Sequence, residues 1–203
     1  HKGGYTAFRF DITDALIPGQ ENIIAVRVNN QQTQDIAPLS GDFTVFGGIY
    51  REVSLMLTDS VHIDTADYGS SGLYLTQTNV SEESADLEIR SNIVNDGEEE
   101  KTVTVRATLR HPDTFEEIDT IPNPAFDPAD MVGGGIVESY ETQLTIPAGE
   151  SAAFVHDLTV EAPHLWNGRE DPYRYQVDLE VFQEGERVDN QTGYVGFRYY
   201  TVD

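Results

Sequence analysis

At 203 residues and 38% hydrophobic content, the chain is long enough for one large or two small folded domains and too rich in core-forming residues to be a disordered tail. A formal net charge of −24, from 36 acidic and 12 basic residues, argues against binding nucleic acid or anionic membranes, which both need Lys and Arg to neutralise phosphate. The absence of cysteine removes disulfide frameworks, thiolate metal sites and cysteine nucleophiles together, and no apolar run approaches the roughly 20 residues of a membrane-spanning helix.

The charge is unevenly placed. Residues 1–60 hold 7 acidic and 4 basic residues, leaving 29 acidic and 8 basic for 61–203, and Lys2 and Lys101 are the two lysines. Self-repulsion on this scale suits a saline setting, since at about 1 M salt the Debye length falls to about 3 Å; a halophilic or marine source is expected. A chain that begins at His1 without Met reads as a processed or cut product. Its location is therefore not legible directly, and a secreted or periplasmic one is expected over a cytoplasmic one.

In chain order, the segment around Asp14 to Ile17 is at most one helical turn, and Ile23, Ala25, Val26 and Val28 alternate as in a strand. The run Gly41-Asp42-Phe43-Thr44-Val45-Phe46-Gly47-Gly48-Ile49-Tyr50-Arg51-Glu52-Val53 sets one short carboxylate at the edge of an apolar strand. Gly47 and Gly48 let the backbone bend or bulge there before Ile49, Tyr50 and Val53 resume a buried face. Read alone, Asp42 beside Gly41 is a turn residue. Beyond residue 60, strands are expected over 73–79, 85–95, 102–110, 136–146, 151–160, 173–183 and 187–199, the last two joined at Glu184-Gly185-Glu186 by a hairpin turn. Between them 113–135, with Pro122, Pro124, Pro128 and Gly133-Gly134-Gly135, reads as a long loop. No segment has the pattern of a long amphipathic helix, so the fold class is all-β, and seven strands after residue 60 fit an immunoglobulin-like sandwich.

Four blocks, His1 to Phe8, Phe10 to Thr13, Asn22 to Asn30 and the Asp42 run, resemble in order and spacing the sugar-binding domain of family 2 glycoside hydrolases. The double glycine followed by Ile-Tyr-Arg is most similar to the β-galactosidase branch. Asp67 to Tyr74, Ala162-Pro163-His164-Leu165-Trp166, Pro172-Tyr173-Arg174-Tyr175 and Val195-Gly196-Phe197-Arg198 resemble the immunoglobulin-like domain that follows in that family. The resemblance implies a division at residue 60: 1–60 as the C-terminal part of a sugar-binding jelly roll, giving a partial jelly-roll sandwich, and 61–203 as an immunoglobulin-like β-sandwich, with the catalytic barrel absent. About sixty residues leave the jelly roll incomplete, so its unpaired edges are expected to be covered by another segment or by a second copy, making a homo-oligomer a possible state.

The resemblance also implies a role for Asp42: reaching out of the jelly roll into the mouth of the barrel to bind substrate and, in some β-galactosidases, to help hold a sodium ion shared with the barrel. A carboxylate suits sugar hydroxyls because a charged acceptor makes the stronger hydrogen bonds, about 1.5 to 3 kcal/mol each. Arg51 is expected to support the strand or its domain contact rather than to touch substrate. Retaining hydrolysis needs two carboxylates about 5 to 5.5 Å apart, and in the family both are glutamates of the barrel, so no catalytic residue is expected in this chain. The runs Glu82-Glu83, Glu98-Glu99-Glu100 and Glu116-Glu117 read as solvated surface.

His1, His62, His111, His156 and His164 show no metal-ligand spacing, Gly133-Gly134-Gly135 lacks the Lys of a phosphate loop, and Trp166 reads as a core or hinge residue. The triplets Asn79-Val80-Ser81 and Asn190-Gln191-Thr192 fit the glycosylation pattern, which matters only in a eukaryotic secreted protein. The expected function is the non-catalytic front region of a β-galactosidase-like glycosidase acting on terminal β-glycosides. The alternatives are a stand-alone carbohydrate-binding module and a structural or adhesive β-sandwich.

Overall fold

The computed structural model describes residues 1–3, 6–31, 34–36, 47–112 and 135–200. The chain divides into two compact units, one of His1–Leu57 with Thr65–Ser70 and one of Thr58–Asp64 with Ser71–Asp203.

Among the described residues eight strands are formed, all in the larger unit: β1 Val61–Ile63, β2 Tyr74–Thr78, β3 Ser84–Asn95, β4 Lys101–Arg110, β5 Ile136–Ile146, β6 Ser151–Glu161, β7 Tyr175–Gln183 and β8 Glu186–Val195. Their period-two alternation is what makes them strands. Ala85, Leu87, Ile89, Ser91 and Ile93 of β3 point inward while their neighbours face out, and Val103, Val105, Ala107 and Leu109 do the same on β4. β3 is the spine of the first sheet. One edge pairs with β6 from Ser84↔Glu161 to Val94↔Ser151, and the other is shared end to end by β2 (Tyr74↔Arg90 to Thr78↔Asp86) and β1 (Val61↔Asn95 to Ile63↔Ile93). The second sheet runs β5-β4-β7-β8, antiparallel throughout. The inner faces of both sheets form one core in which Ile63, Leu87, Ile89 and Phe154 meet Val105, Leu109, Leu179 and Phe197. This is an all-β sandwich, as the alternating patterns require.

The turn between β7 and β8 places Glu184 at φ 53° and Gly185 at φ 87°, the two positive values of a two-residue hairpin whose twist matches its strands. At the opposite end of β3 the buried Asn95 donates from Nδ2 to the carbonyls of Glu99 (2.8 Å) and Ile146 (3.0 Å), while its Oδ1 accepts from Gly97 N–H. One side chain thereby ties the β3–β4 turn to the end of β5. Two expected boundaries shift by more than one residue. Tyr173 and Arg174 precede β7, and β8 ends at Val195, because the chain on either side leaves the ladder to pack on Trp166 and Tyr175. β1 is an additional strand, three residues long and held by the free end of β3. The expected loop lies outside the described residues except at Gly135.

The smaller unit has no strand ladder among its described residues, although 23–28 alternates; its regular elements are two 3-10 turns, Thr13–Ala15 and Asp67–Gly69. Ile23 is 88% exposed, and Ile24, Val26 and Val28 are also exposed. An extended segment becomes a strand only where a second edge satisfies its backbone, and no such edge is described for 23–28. The unit is held by polar links: Arg9 donates to the carbonyls of Thr65 (2.7 Å) and Ser70, and the Asn22 side chain brackets Ile17 through both its N–H and C=O. Gly69, at φ +67°, lies against Ala7 and Phe8 so closely that a Cβ would come within 2.9 Å of their backbone.

Candidate functional site

Asp42, the residue singled out by the sequence, lies with 37–46 outside the described residues, and the sodium expectation rests on it as well. The described flank begins at Gly47, where a Cβ would come 2.9 Å from the Asn30 side chain, and Gly48 follows at φ +113°, a backbone that L side chains rarely adopt. The double glycine is therefore a real constraint on the chain leaving Asp42. After it, Ile49, Tyr50 and Val53 are exposed rather than buried, a correction to the expected inward face, for the same reason as at 23–28. The Arg51 guanidinium lies 5.4 Å from the centre of the Tyr50 ring, a cation–π contact.

Three of the blocks that carry the family resemblance, 162–166, 172–175 and 195–198, converge at one end of the larger unit although more than thirty positions separate the first from the last. The Trp166 N–H donates to the Phe197 carbonyl at 2.8 Å, and the His164 N–H donates to the Tyr175 hydroxyl at 2.9 Å. The Tyr175 ring sits edge-on to both Phe197 (5.2 Å) and Tyr173 (5.1 Å). Gly196 leaves little room there, since a Cβ would come 3.0 Å from that of Trp166. Arg198 covers the indole at 5.1 Å. Trp166 is thus half-buried and braced on several sides.

Outside this brace the His164 imidazole stacks on Tyr173 at 3.9 Å and places Nε2 2.6 Å from Asp171 Oδ2. The Tyr173 hydroxyl lies 2.6 Å from His111 Nδ1. Burial, with Tyr175 and the Asp171 carboxylate nearby, pushes the Tyr173 phenol up to about 12. Burial also raises Tyr175, against the opposing effect of its hydrogen bond from His164. Both phenols are neutral at physiological pH; Tyr175 accepts from the His164 backbone N–H, and the Tyr173 hydroxyl shares a hydrogen bond with His111 Nδ1. The Asp171–His164 pair has the geometry of the carboxylate–imidazole half of a catalytic triad, but no hydroxyl nucleophile is hydrogen-bonded to its imidazole among the described residues. Chemically it is a brace. Sequence reasoning quoted every one of these blocks but had no signal that they touch.

The remaining histidines are partnered too. His62 lies 3.9 Å from Asp96, His156 lies 2.8 Å from Glu138 and stacks on Tyr140, and His1 stacks on Phe8. No group of three or more potential ligands is assembled for a metal among the described residues. Glu82, Glu83, Glu98, Glu99 and Glu100 are exposed, as expected, whereas Glu116 and Glu117 lie outside the described residues. A shallow groove of about 390 Å³ lies on the outer face of β2, β3 and β6, lined by Thr76, Thr78, Asp86, Glu88, Asp157 and Thr159. Hydrogen bonds from Asn79 and Thr159 hold the Asp86 carboxyl below its ordinary range.

Comparison with known proteins places this geometry. The family model described as Glycosyl hydrolases family 2 matches residues 61–198. A β-glucuronidase of Bacteroides fragilis is 35% identical over 100% of this chain and 26% of its own length, and a β-galactosidase of Bacteroides ovatus is 30% identical over 98% of the chain and 20% of its own. In the solved structure of Bacteroides uniformis β-glucuronidase 2, covalently bound to cyclophellitol-6-carboxylate aziridine, the match covers 87% of this chain and 19% of that one, at 33% identity and a TM-score of 0.73. The chain spans about a fifth to a quarter of the length of these proteins, and by its sequence, matched over most of its sandwich, it belongs to glycosyl hydrolase family 2.

Proposed function

We propose that this chain is the non-catalytic front region of a retaining β-glycosidase that removes terminal β-linked sugars. The smaller unit presents Asp42 to the substrate, and the larger one serves as an immunoglobulin-like spacer beside a catalytic barrel. The observation that carries the reading is coverage: end to end, the chain aligns with only 26% of a β-glucuronidase. The catalytic glutamate pair belongs on this reading to the remainder. The names of the relatives divide between β-glucuronidase and β-galactosidase, whose sugars share a β-linked pyranose and differ in configuration at C4 and in oxidation at C6. The run from Asp42 to Arg51 favours a β-galactoside.

In the full-length enzyme, Asp42→Ala is expected to lower kcat/KM for a β-galactoside about 10- to 100-fold, the loss of one charge-assisted hydrogen bond. Assaying β-galactoside and β-glucuronide side by side settles the sugar, and replacing sodium by potassium tests the shared ion. Unchanged kcat/KM in Asp42→Ala would overturn the role of that residue. Turnover by the 203-residue chain alone would overturn the whole reading.

A further inference from the structure

The two outer faces of the sandwich carry their charges differently. On β4, β5, β7 and β8 three of the six carboxylates are matched with arginines: Arg106 bonds Glu141 at 2.8 Å and lies 3.8 Å from Glu180, Arg187 reaches Glu180 at 3.3 Å, and Arg110 bonds Asp178 at 2.8 Å. On the strands of the other sheet stand Asp86, Glu88, Asp157 and Glu161 with a single cation, Arg90, whose guanidinium lies over the Tyr74 ring at 4.5 Å. Glu88 and Asp157 are direct cross-strand partners and both side chains face outward. Among the described residues neither forms an ion pair. Like charges placed opposite one another on adjacent strands repel and weaken the pairing. The β3–β6 ladder is also the longest among the described residues, so the repulsion falls on the strand that holds its sheet together.

We infer that the sandwich depends on salt for its stability and that the outer face of β2, β3 and β6, centred on Glu88 and Asp157, is where the dependence resides. Added salt shortens the Debye length from about 10 Å at 0.1 M to about 3 Å at 1 M, below the span of a cross-strand pair. A net charge of −24 spread over the same chain adds a diffuse repulsion that salt screens as well.

The test is thermal unfolding of the full chain, followed by emission of its single tryptophan, Trp166, which sits in the larger unit. Between about 0.1 and 1 M NaCl the Tm is expected to rise by about 5 to 10 °C and then level off. The double variant Glu88→Gln/Asp157→Asn is expected to raise Tm at about 0.1 M by about 2 to 4 °C and to gain less from salt. Glu82→Gln/Glu83→Gln removes the same charge from a loop and is expected to change Tm by less than about 1 °C. A Tm insensitive to salt overturns the inference, and equal effects of the two double variants overturn its location. The full gain from millimolar Mg²⁺ at low ionic strength would replace screening by a bound cation and also overturn it.

Discussion

Asp189 on β8 accepts a hydrogen bond from the backbone N–H of Ile63 on β1 at 2.8 Å, joining the two sheets at their edge across 126 positions of sequence. Ile63 is buried and its strand is three residues long, so the carboxylate anchors a short edge element to the opposite sheet. Asp189→Ala leaves that N–H without this acceptor and is expected to cost about 1.5 to 3 kcal/mol. Asp189→Asn keeps an acceptor and is expected to lose less. Urea unfolding of both variants checks the order, and equal losses would mean that packing, not the hydrogen bond, holds β1.

The Tyr173 phenol titrates near 12 in the folded chain against an ordinary value of 10.0. The folded state therefore holds this proton more tightly than the unfolded one. Its contribution to stability is fully present below pH 10 and is lost as pH rises from 10 to about 12. Alkaline unfolding is expected to steepen in that window, and Tyr173→Phe is expected to flatten it. Tyrosinate absorbance during the titration provides the readout. A variant that unfolds along the same alkaline curve would remove Tyr173 as its cause.

Gly196 lies where any side chain would press on Trp166, with a Cβ 3.0 Å from the Cβ of the indole residue. Gly196→Ala is expected to destabilise by about 1 to 3 kcal/mol as the indole shifts against Arg198 and the neighbouring backbone. Since the chain has one tryptophan, the emission maximum of the folded variant should move. An unmoved emission spectrum with unchanged stability would show that the site relaxes freely.

Much of the larger unit was legible because alternation is a local property. Leu87, Ile89 and Ile93 must share one face of a strand whatever the strand packs against, and Glu184-Gly185 permits the positive φ values of a tight hairpin without reference to distant residues. β1 was not legible, since three residues carry no periodicity and Val61–Ile63 becomes a strand only because β3 runs past the end of β2. The 23–28 segment failed in the opposite way. Its alternation is clear, yet no described residues of the chain pair with it, so Ile23 and Val26 are exposed.

At the candidate site the chemistry on offer can be read along the chain: a carboxylate at Asp42, a double glycine beyond it, and aromatic blocks characteristic of a family. It took the packed sandwich to bring His164, Trp166, Tyr173, Tyr175 and Phe197 into one brace, and to set Glu88 opposite Asp157 while Arg106 and Arg187 neutralise Glu180. Residue type and local periodicity are written along the chain. Which side chains meet depends on strand register and on the order of strands in each sheet, and these emerge only when the two apolar faces bury each other.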